Sequence, residues 1–434
     1  MKHLLTLLIT FAALIAAART TAQTEVTDNH RLSASNHTVY PITDDTLAPT
    51  LTQPPAGYEP FFINHYGRHG SRWLSNKETY ERPVELLRKA RRDGKLTPQG
   101  EQLLQVLEQV QNASLLRTGD LTDIGAEQHQ AIARRMLKNF PSVFRGNARI
   151  DARATVVLRC ILSMQNETMT LRAANPQMNI TTDASYHDMY YTSYGYGPDT
   201  LFTPIRKATT HITDSLYHTL IKPQRFISML VNDTAYANHE MHPYRLMRDV
   251  FQIVGSLQNH HRFEHINLFK LFTNEEIFTL WRLRNIYWYV RWANAEANGN
   301  RMPFATRELL RNIIYTADTT INANTRGAAL RFGHDTIILP LACLMGIGSI
   351  GYNTADLDNL HLHWQDYRII PMAANMQMIF YRPTSGTGDI LVKVLYNEHE
   401  ATLPVHTDNP PYYRWSDLRQ FYLNKLDTPI NLNP

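Results

Sequence analysis

Apolar residues recur along the chain with two periods, and the switches between them mark the elements. Phe61, Phe62 and Ile63 form a short apolar run that leads into Asn64-His65-Tyr66-Gly67-Arg68-His69-Gly70-Ser71-Arg72, a strand ending in a turn bracketed by two glycines. Residues 78–92 have helical spacing and stop at Gly94. Two similar helix openings follow, Leu96-Thr97-Pro98-Gln99-Gly100 and Leu121-Thr122-Asp123-Ile124-Gly125. Thr97 and Thr122 are natural N-caps, and Pro98 suits a first helical position. Leu103, Leu107 and Val110 then mark one buried face, and His129, Ile132, Ala133, Met136, Leu137 and Phe140 the other. A strand is expected over 149–155 and a helix over 156–173. The weakly periodic stretch 174–203, with many Tyr, Thr, Asn and Gly, reads as a long loop region. From about 204 to 324 the pattern is helical almost throughout, and Trp281, Trp288 and Trp292 are spaced for core packing.

The strand period returns at Leu330-Arg331-Phe332. Residues 337–346 read as a helix whose Pro340 is tolerable only within the first turn. Strands are expected at 368–370, 376–381 and 389–396, and a closing helix at 416–426. Strands and helices alternate on both sides of a helical insertion. This order predicts an α/β fold, a sandwich with a central mixed β-sheet flanked by helices, plus an inserted all-α domain. Residues 23–173 and 325–434 would form the core and 174–324 a mainly α-helical insertion or cap domain.

Composition adds the setting. With 434 residues, 43% of them hydrophobic and 19% charged, the chain has ordinary globular material for a large core. Met1-Lys2-His3, the apolar run from Leu4 to Ala17, and Arg19-Thr20-Thr21-Ala22-Gln23 read as a signal peptide over 1–22, so an exported protein, periplasmic or secreted, is expected. No later stretch is apolar for long enough to span a bilayer, and no membrane association is expected. Removing residues 1–22 discards Lys2 and Arg19 and no acid, which lowers the net charge from +4 to +2. Such a balance speaks against nucleic-acid binding. Residues 23–57, polar and rich in Thr, Asp and Pro, are expected on the surface. Cys160 and Cys343 are too few for a disulfide scaffold and read as buried free thiols.

The chemistry starts at the first strand's turn. Gly67 and Gly70 remove two side chains and permit positive φ, so a small anion can approach the backbone while Arg68 and Arg72 reach it. His69 would face that anion, and a neutral imidazole can attack phosphorus while guanidinium groups neutralise the phosphoryl oxygens. Arg68-His69-Gly70-x-Arg72 resembles the signature of the histidine phosphatase superfamily, in its acid phosphatase, phytase and multiple inositol polyphosphate phosphatase branch. The repeated Leu-Thr-x-x-Gly openings are also typical of that family. Arg153-Ala154-Thr155-x-x-x-Arg159-x-x-x-Ser163 matches the spacing of its second arginine motif, which makes Arg159 the third phosphate clamp; otherwise Arg159 is a surface arginine paired with Asp151 or Glu167. By the same resemblance, Phe332-Gly333-His334-Asp335-Thr336 supplies a second phosphate-binding histidine, His334, and a proton donor, Asp335. The alternative is that Asp335 only caps the next helix. Inositol polyphosphate phosphatases of the animal type carry His-Ala-Glu here, whereas this chain has Thr336 at the glutamate's place, which favours Asp335 as the acid. The blocks 371–376 and 389–398 extend the likeness over nearly the whole mature chain, most weakly between 174 and 320.

The resemblance implies a phosphomonoester hydrolase with a phosphohistidine intermediate and no metal or cofactor. Its expected partner is a small phosphate ester, with phytate and other inositol polyphosphates preferred; the oligomeric state stays open. A broad acid phosphatase acting on sugar phosphates or nucleotides is the nearest alternative, and a phosphate-binding protein without turnover another. A remote one is a zinc peptidase, because His261-Arg262-Phe263-Glu264-His265 fits the H-x-x-E-H pattern. His187-Asp188 reads as a loop pair. Trp73 is expected at the pocket mouth, and Lys77, Arg82, Arg88, Lys89, Arg91 and Arg92 form either a basic entrance or a solvated helix face.

Overall fold

The computed structural model describes residues 22–43 and 51–432; the expected signal peptide, apart from Ala22, lies outside the described residues. One sheet holds eight strands: β1 (Tyr58–Arg68), β2 (Arg149–Ala154), β3 (Asn179–Asp183), β4 (Gly327–Gly333), β5 (Asn375–Pro383), β6 (Leu391–Tyr396), β7 (His399–Ala401) and β8 (Tyr413–Arg414). Their order is β3-β2-β4-β1-β5-β6-β7, with β8 also paired to β6. The β3-β2-β4-β1 half is parallel and the rest antiparallel, so the sheet is mixed, as expected. Register decides where chemistry can gather. Arg68 lies opposite Gly333 and Ala154 opposite Phe332, so three neighbouring parallel strands end together. The chain leaves them at His69, His334 and Thr155. Ligands of open α/β sheets bind in this place, outside the carboxyl ends of the strands.

The helices of eleven residues or more are α1 (Lys77–Arg92), α2 (Pro98–Ser114), α3 (Asp123–Asn139), α4 (Leu158–Ala174), α5 (Thr210–Leu220), α6 (Pro243–Ser256), α7 (Asn274–Trp292), α8 (Arg307–Asn322), α9 (Asp335–Met345) and α10 (Trp415–Leu426). α3 and α4 pack with Ile63, Leu330 and Phe332 in one core. α8, α9 and α10 pack with Phe62, Met376 and Val392 in another. A third core is built from helices and the loops between them, without a strand of the sheet. It joins α1 and α2 to α6 and to the first half of α7, whose second half belongs to the sheet's core. No helix among the described residues is long and apolar enough to cross a membrane.

β1 is the middle of this arrangement, and its residues from Phe61 to Arg68 are all buried. Burial of Asn64 inside it is compensated: its amide donates to the Ile313 carbonyl at 2.8 Å, and its oxygen accepts from Arg331. Thr97 and Thr122 cap α2 and α3 as expected, each accepting from the glycine three residues on. Those glycines let a helix start lie against foreign backbone. A Cβ on Gly100 would meet the Leu230 carbonyl at 2.4 Å, and one on Gly125 the Ser71 carbonyl at 2.2 Å.

Four expectations are corrected. Residues 179–183 are an edge strand and not loop; they are mostly exposed on both faces, so no apolar alternation betrays them. Residues 368 and 369 end a helical turn, Asp366–Ile369, and Ile370 caps it; three residues with two isoleucines carry no period of their own. Helix α9 begins at Asp335, two residues early, which puts Pro340 beyond the first turn. Residues 23–57 do not simply lie on the surface. Val26, Ser33, Ser35, Asn36, His37 and Tyr40 are buried, and the segment threads between α6, α7 and the sheet.

The contact between the turn after β1 and α3 can be tested. Gly125→Ala adds a methyl group against the Ser71 main chain, which has no side-chain freedom with which to yield. Overpacking of this kind costs about 1–3 kcal/mol. The denaturant midpoint of the variant should fall accordingly; an unchanged midpoint would show that α3 does not clamp the turn.

Candidate active site

The turn after β1 is fixed through its main chain. The Arg68 N–H donates to the Ala374 carbonyl at 2.8 Å, His69 N–H to Gly333 at 2.9 Å and Ala373 N–H to His69 at 3.0 Å. Gly70 N–H donates to Ser163 Oγ at 3.1 Å, and Ser71 N–H to Gln128 Oε1 at 2.8 Å. The two glycines are needed for a reason other than the expected one. Neither has positive φ. A Cβ on Gly70 would meet the Gly125 carbonyl at 2.3 Å, and one on Gly67 the His65 ring at 2.7 Å, so both serve packing and not anion approach.

His69 Nδ1 lies 2.9 Å from the Gly70 carbonyl, which can only accept. Nδ1 therefore carries the proton, and the neutral ring presents a lone pair on Nε2. Burial, and then Arg159, Arg68, Arg72 and His334, push its pKa well below the ordinary value and keep it neutral in mild acid. The His334 ring stands edge-on to it, with centroids 5.7 Å apart. His334 is held from behind: its N–H donates to Tyr66 Oη at 3.1 Å, and Tyr66 donates to the Thr192 carbonyl at 2.9 Å. Thr155 Oγ1 and Cys160 Sγ lie 3.4 and 3.8 Å from His334 Nε2. Cys160 and Cys343 are both buried free thiols, as expected.

Three guanidinium groups bear on the same place. Arg68 is fully buried; it donates to the Asn36 carbonyl and to the Ile370 carbonyl at 2.8 Å, and pairs with Asp335 Oδ2 at 2.7 Å. Arg72 donates to the Trp73 carbonyl at 2.8 Å and to His37 Nε2 at 3.5 Å. Burial, then Arg159 and Arg68, bring Arg72 down to about 9, still charged in mild acid. Arg159 sits in the first turn of α4, where the helix dipole favours an anion. It is not a paired surface arginine, since Asp151 goes to Arg153 and Glu167 to His129. Arg72 Nε and Arg159 Nε are buried donors with no partner among the described residues. Such orphans are costly unless an acceptor comes to them.

Asp335 does more than cap. Its Oδ1 accepts from the Thr336 N–H at 2.9 Å, while Oδ2 takes Arg68 and the Asn36 amide, the latter at 2.9 Å. Burial alone would raise its pKa; Arg68, Asn36, Arg72 and His334 more than offset this and hold it below the carboxylate range. Asn36 and His37 had no sequence signal, for they lie in an aperiodic polar stretch. Beside them opens a cavity of about 600 Å³, lined by His37, Arg82, Arg245, Arg248, Arg284 and Arg291 among others. Arg82 and Arg248 share Asp249, whereas Arg284 has no carboxylate partner among the described residues.

The other candidates fall away from the site. Trp73 is buried, packed on His260 at 4.0 Å, and so is no mouth residue. Lys77, Arg88, Lys89 and Arg91 pair with Glu81, Glu108, Glu240 and Glu101, and Arg92 is exposed; of that run only Arg82 lines the cavity. His187 pairs with Asp188 on the surface. His261–Phe263 is a single 3₁₀ turn, so His261 and His265 do not share an α-helical face, and His261 is bonded to Glu264 and Glu127 at 2.7 and 3.0 Å. The zinc reading loses its premise. Among the described residues no cluster of three or more His, Cys, Asp or Glu side chains is arranged to hold a metal.

Comparisons with known proteins bear on the fold and the family. No protein with a curated description matches the sequence significantly. Solved structures share the fold. The multiple inositol polyphosphate phosphatase of Bifidobacterium longum, in a complex with phosphate, superposes with a TM-score of 0.73 at 17% identity, over 91% of this chain and 98% of that one. The same enzyme with inositol hexasulfate gives 0.72 at 17%, over 90% and 97%. The phytase from D. castellii gives 0.63 at 15%, over 92% and 85%. Residues 67–397 match the family pattern, from the turn after β1 through β6, and the chain belongs to the histidine phosphatase superfamily, branch 2.

Proposed function

We propose that this phosphatase removes phosphate from phytate and other inositol polyphosphates, without a metal, through a phosphohistidine on His69. His69 Nε2 attacks phosphorus as the ester P–O bond breaks, and Asp335 gives its proton to the departing oxygen. Water then cleaves the N–P bond with the Asp335 carboxylate as base, which restores both groups. Arg68, Arg72, Arg159 and His334 hold the equatorial oxygens. The observation that carries this reading is the free Nε2 lone pair of His69 beside the orphaned Nε donors of Arg72 and Arg159. An incoming phosphoryl group brings negative charge and draws Arg68 off Asp335. Both effects raise the Asp335 pKa, so the carboxylate acquires the proton that it later delivers.

The choice of a polyanionic substrate rests on the cavity, where five arginines face two acids, Asp214 and Asp249. Arg284 and His37 stand where they would meet phosphates other than the one being cleaved. A relative with the same fold has been solved with inositol hexasulfate, which supports the choice. Lys2 and the apolar run after it support action after export.

Two outcomes are expected. The mature protein should release phosphate from phytate with a chelator present, His69→Ala should release none, and Arg159→Ala should lose about 10²–10³-fold in kcat with a smaller change in KM. Equal rates for wild type and His69→Ala would refute the assignment. The second concerns pH. His37 and His334 have pKa values lowered by burial and by the arginines. A bound anion offsets the arginines and raises those values, so binding takes up protons and must strengthen as pH falls. Sulfate, which does not itself titrate between about pH 7 and 5, should bind more tightly at the lower pH by calorimetry. Affinity independent of pH would mean that these histidines do not face the anion.

A further inference from the structure

We infer that Asn36 is a positioning residue for the proton donor, an inference that rests on the reading of Asp335 as the acid. Its side chain is buried between two charged groups of opposite sign. Nδ2 donates to Asp335 Oδ2 at 2.9 Å, and Oδ1 lies 3.5 Å from Arg284 Nη2. A carboxylate only accepts and a guanidinium only donates, so the amide has one possible orientation. Its own carbonyl accepts from Arg68 Nη1. One residue thus touches the acid, the clamp that keeps the acid ionised, and a cation on the cavity wall.

The segment around Asn36 is built to hold it there. Ser35 has φ 62° and ψ −129°, a conformation that residues with a side chain rarely adopt. Its hydroxyl donates to the buried Asp366, and its carbonyl accepts from the Thr38 N–H at 3.0 Å. Asn259 donates to the His37 carbonyl at 3.0 Å, and the Met372 N–H to the Thr38 carbonyl at 2.9 Å. Bonds from three separate elements fix a strained turn whose effect is to point Asn36 inward, at Asp335.

Chemically, Asp335 Oδ2 accepts from both Arg68 and Asn36 before substrate arrives. When the phosphoryl oxygens take Arg68, the Asn36 bond remains. It keeps the carboxyl from turning, so that the Oδ2 lone pair vacated by Arg68 carries the proton toward the leaving oxygen. Asn36 neither gains nor loses a proton in this step. Its contribution as a positioning residue falls on ester cleavage, and it matters most where the leaving oxygen is a strong base.

The test compares kcat/KM, which reports the steps up to departure of the leaving group, on glycerol 2-phosphate and on p-nitrophenyl phosphate. An aryl oxide leaves with little protonation; a glycerol alkoxide does not. Asn36→Ala should lower the glycerol phosphate value about 10-fold or more and the aryl value less than about 3-fold. Asn36→Leu, which fills the volume without an amide, should behave alike, and the retained aryl rate certifies a folded enzyme. Equal losses on both esters in both Asn36 variants, with Asp335→Asn still selective against the alkyl ester, would overturn the role of Asn36 alone. Equal losses in Asp335→Asn would instead remove the reading of Asp335 as the acid, and this inference with it.

Discussion

Three guanidinium groups crowded beside two imidazoles, with one carboxylate to answer them, are the constraint on which this structure turns. Arg68 is wholly buried and paired with Asp335 at 2.7 Å, and it also spends donors on main-chain carbonyls from 36 and 370. Among the described residues, Arg72 and Arg159 have no such carboxylate. Burying like charges together is unfavourable, and only an anion among them relieves it. The crowding also sets the protonation of everything nearby. It lowers the His69 pKa and so favours the neutral ring that the proposed attack needs, in mild acid where an isolated imidazole would carry a proton.

Such a cluster needs a rigid frame, and the sheet supplies it. Because β1, β4 and β2 are parallel and end in register, their exits stand side by side without any long loop to position them. The turn after β1 is then closed from the other side by α3, whose start lies so near that a methyl group on Gly70 or Gly125 would press on main chain. Tyr66 ties the two exits together, reaching from β1 to the His334 N–H and on to the Thr192 carbonyl. Stability and chemistry are served here by the same contacts.

The groups proposed to act on phosphorus were legible in the sequence because each sits at a break in periodicity, where a strand gives way to a turn or helix. Arg68, His69 and Arg72 follow one strand, and His334 and Asp335 another. Asn36 and His37 were not legible. They lie in an aperiodic stretch, and only the folded chain reveals that Ser35 and Asp366, 331 positions apart, fasten it over the site. Arg284 was hidden differently, within an aromatic helix whose spacing speaks only of packing. The departures have local causes: β3 has one apolar residue, Ile180, and residues 368–370 are too few to show a period. The glycines of the turn were rightly singled out, but the rule of positive φ misled where close approach was the reason.

The central claim is that His69, and not water, makes the first attack on phosphorus, and stereochemistry tests it most directly. A phosphorothioate ester made chiral at phosphorus with oxygen isotopes, hydrolysed in water of a third isotope, should yield inorganic thiophosphate with net retention, since two successive in-line displacements each invert the centre. Net inversion would mean a single displacement by water. In that case the imidazole held by Gly70 could at most be a base, and no phosphohistidine would lie on the reaction path.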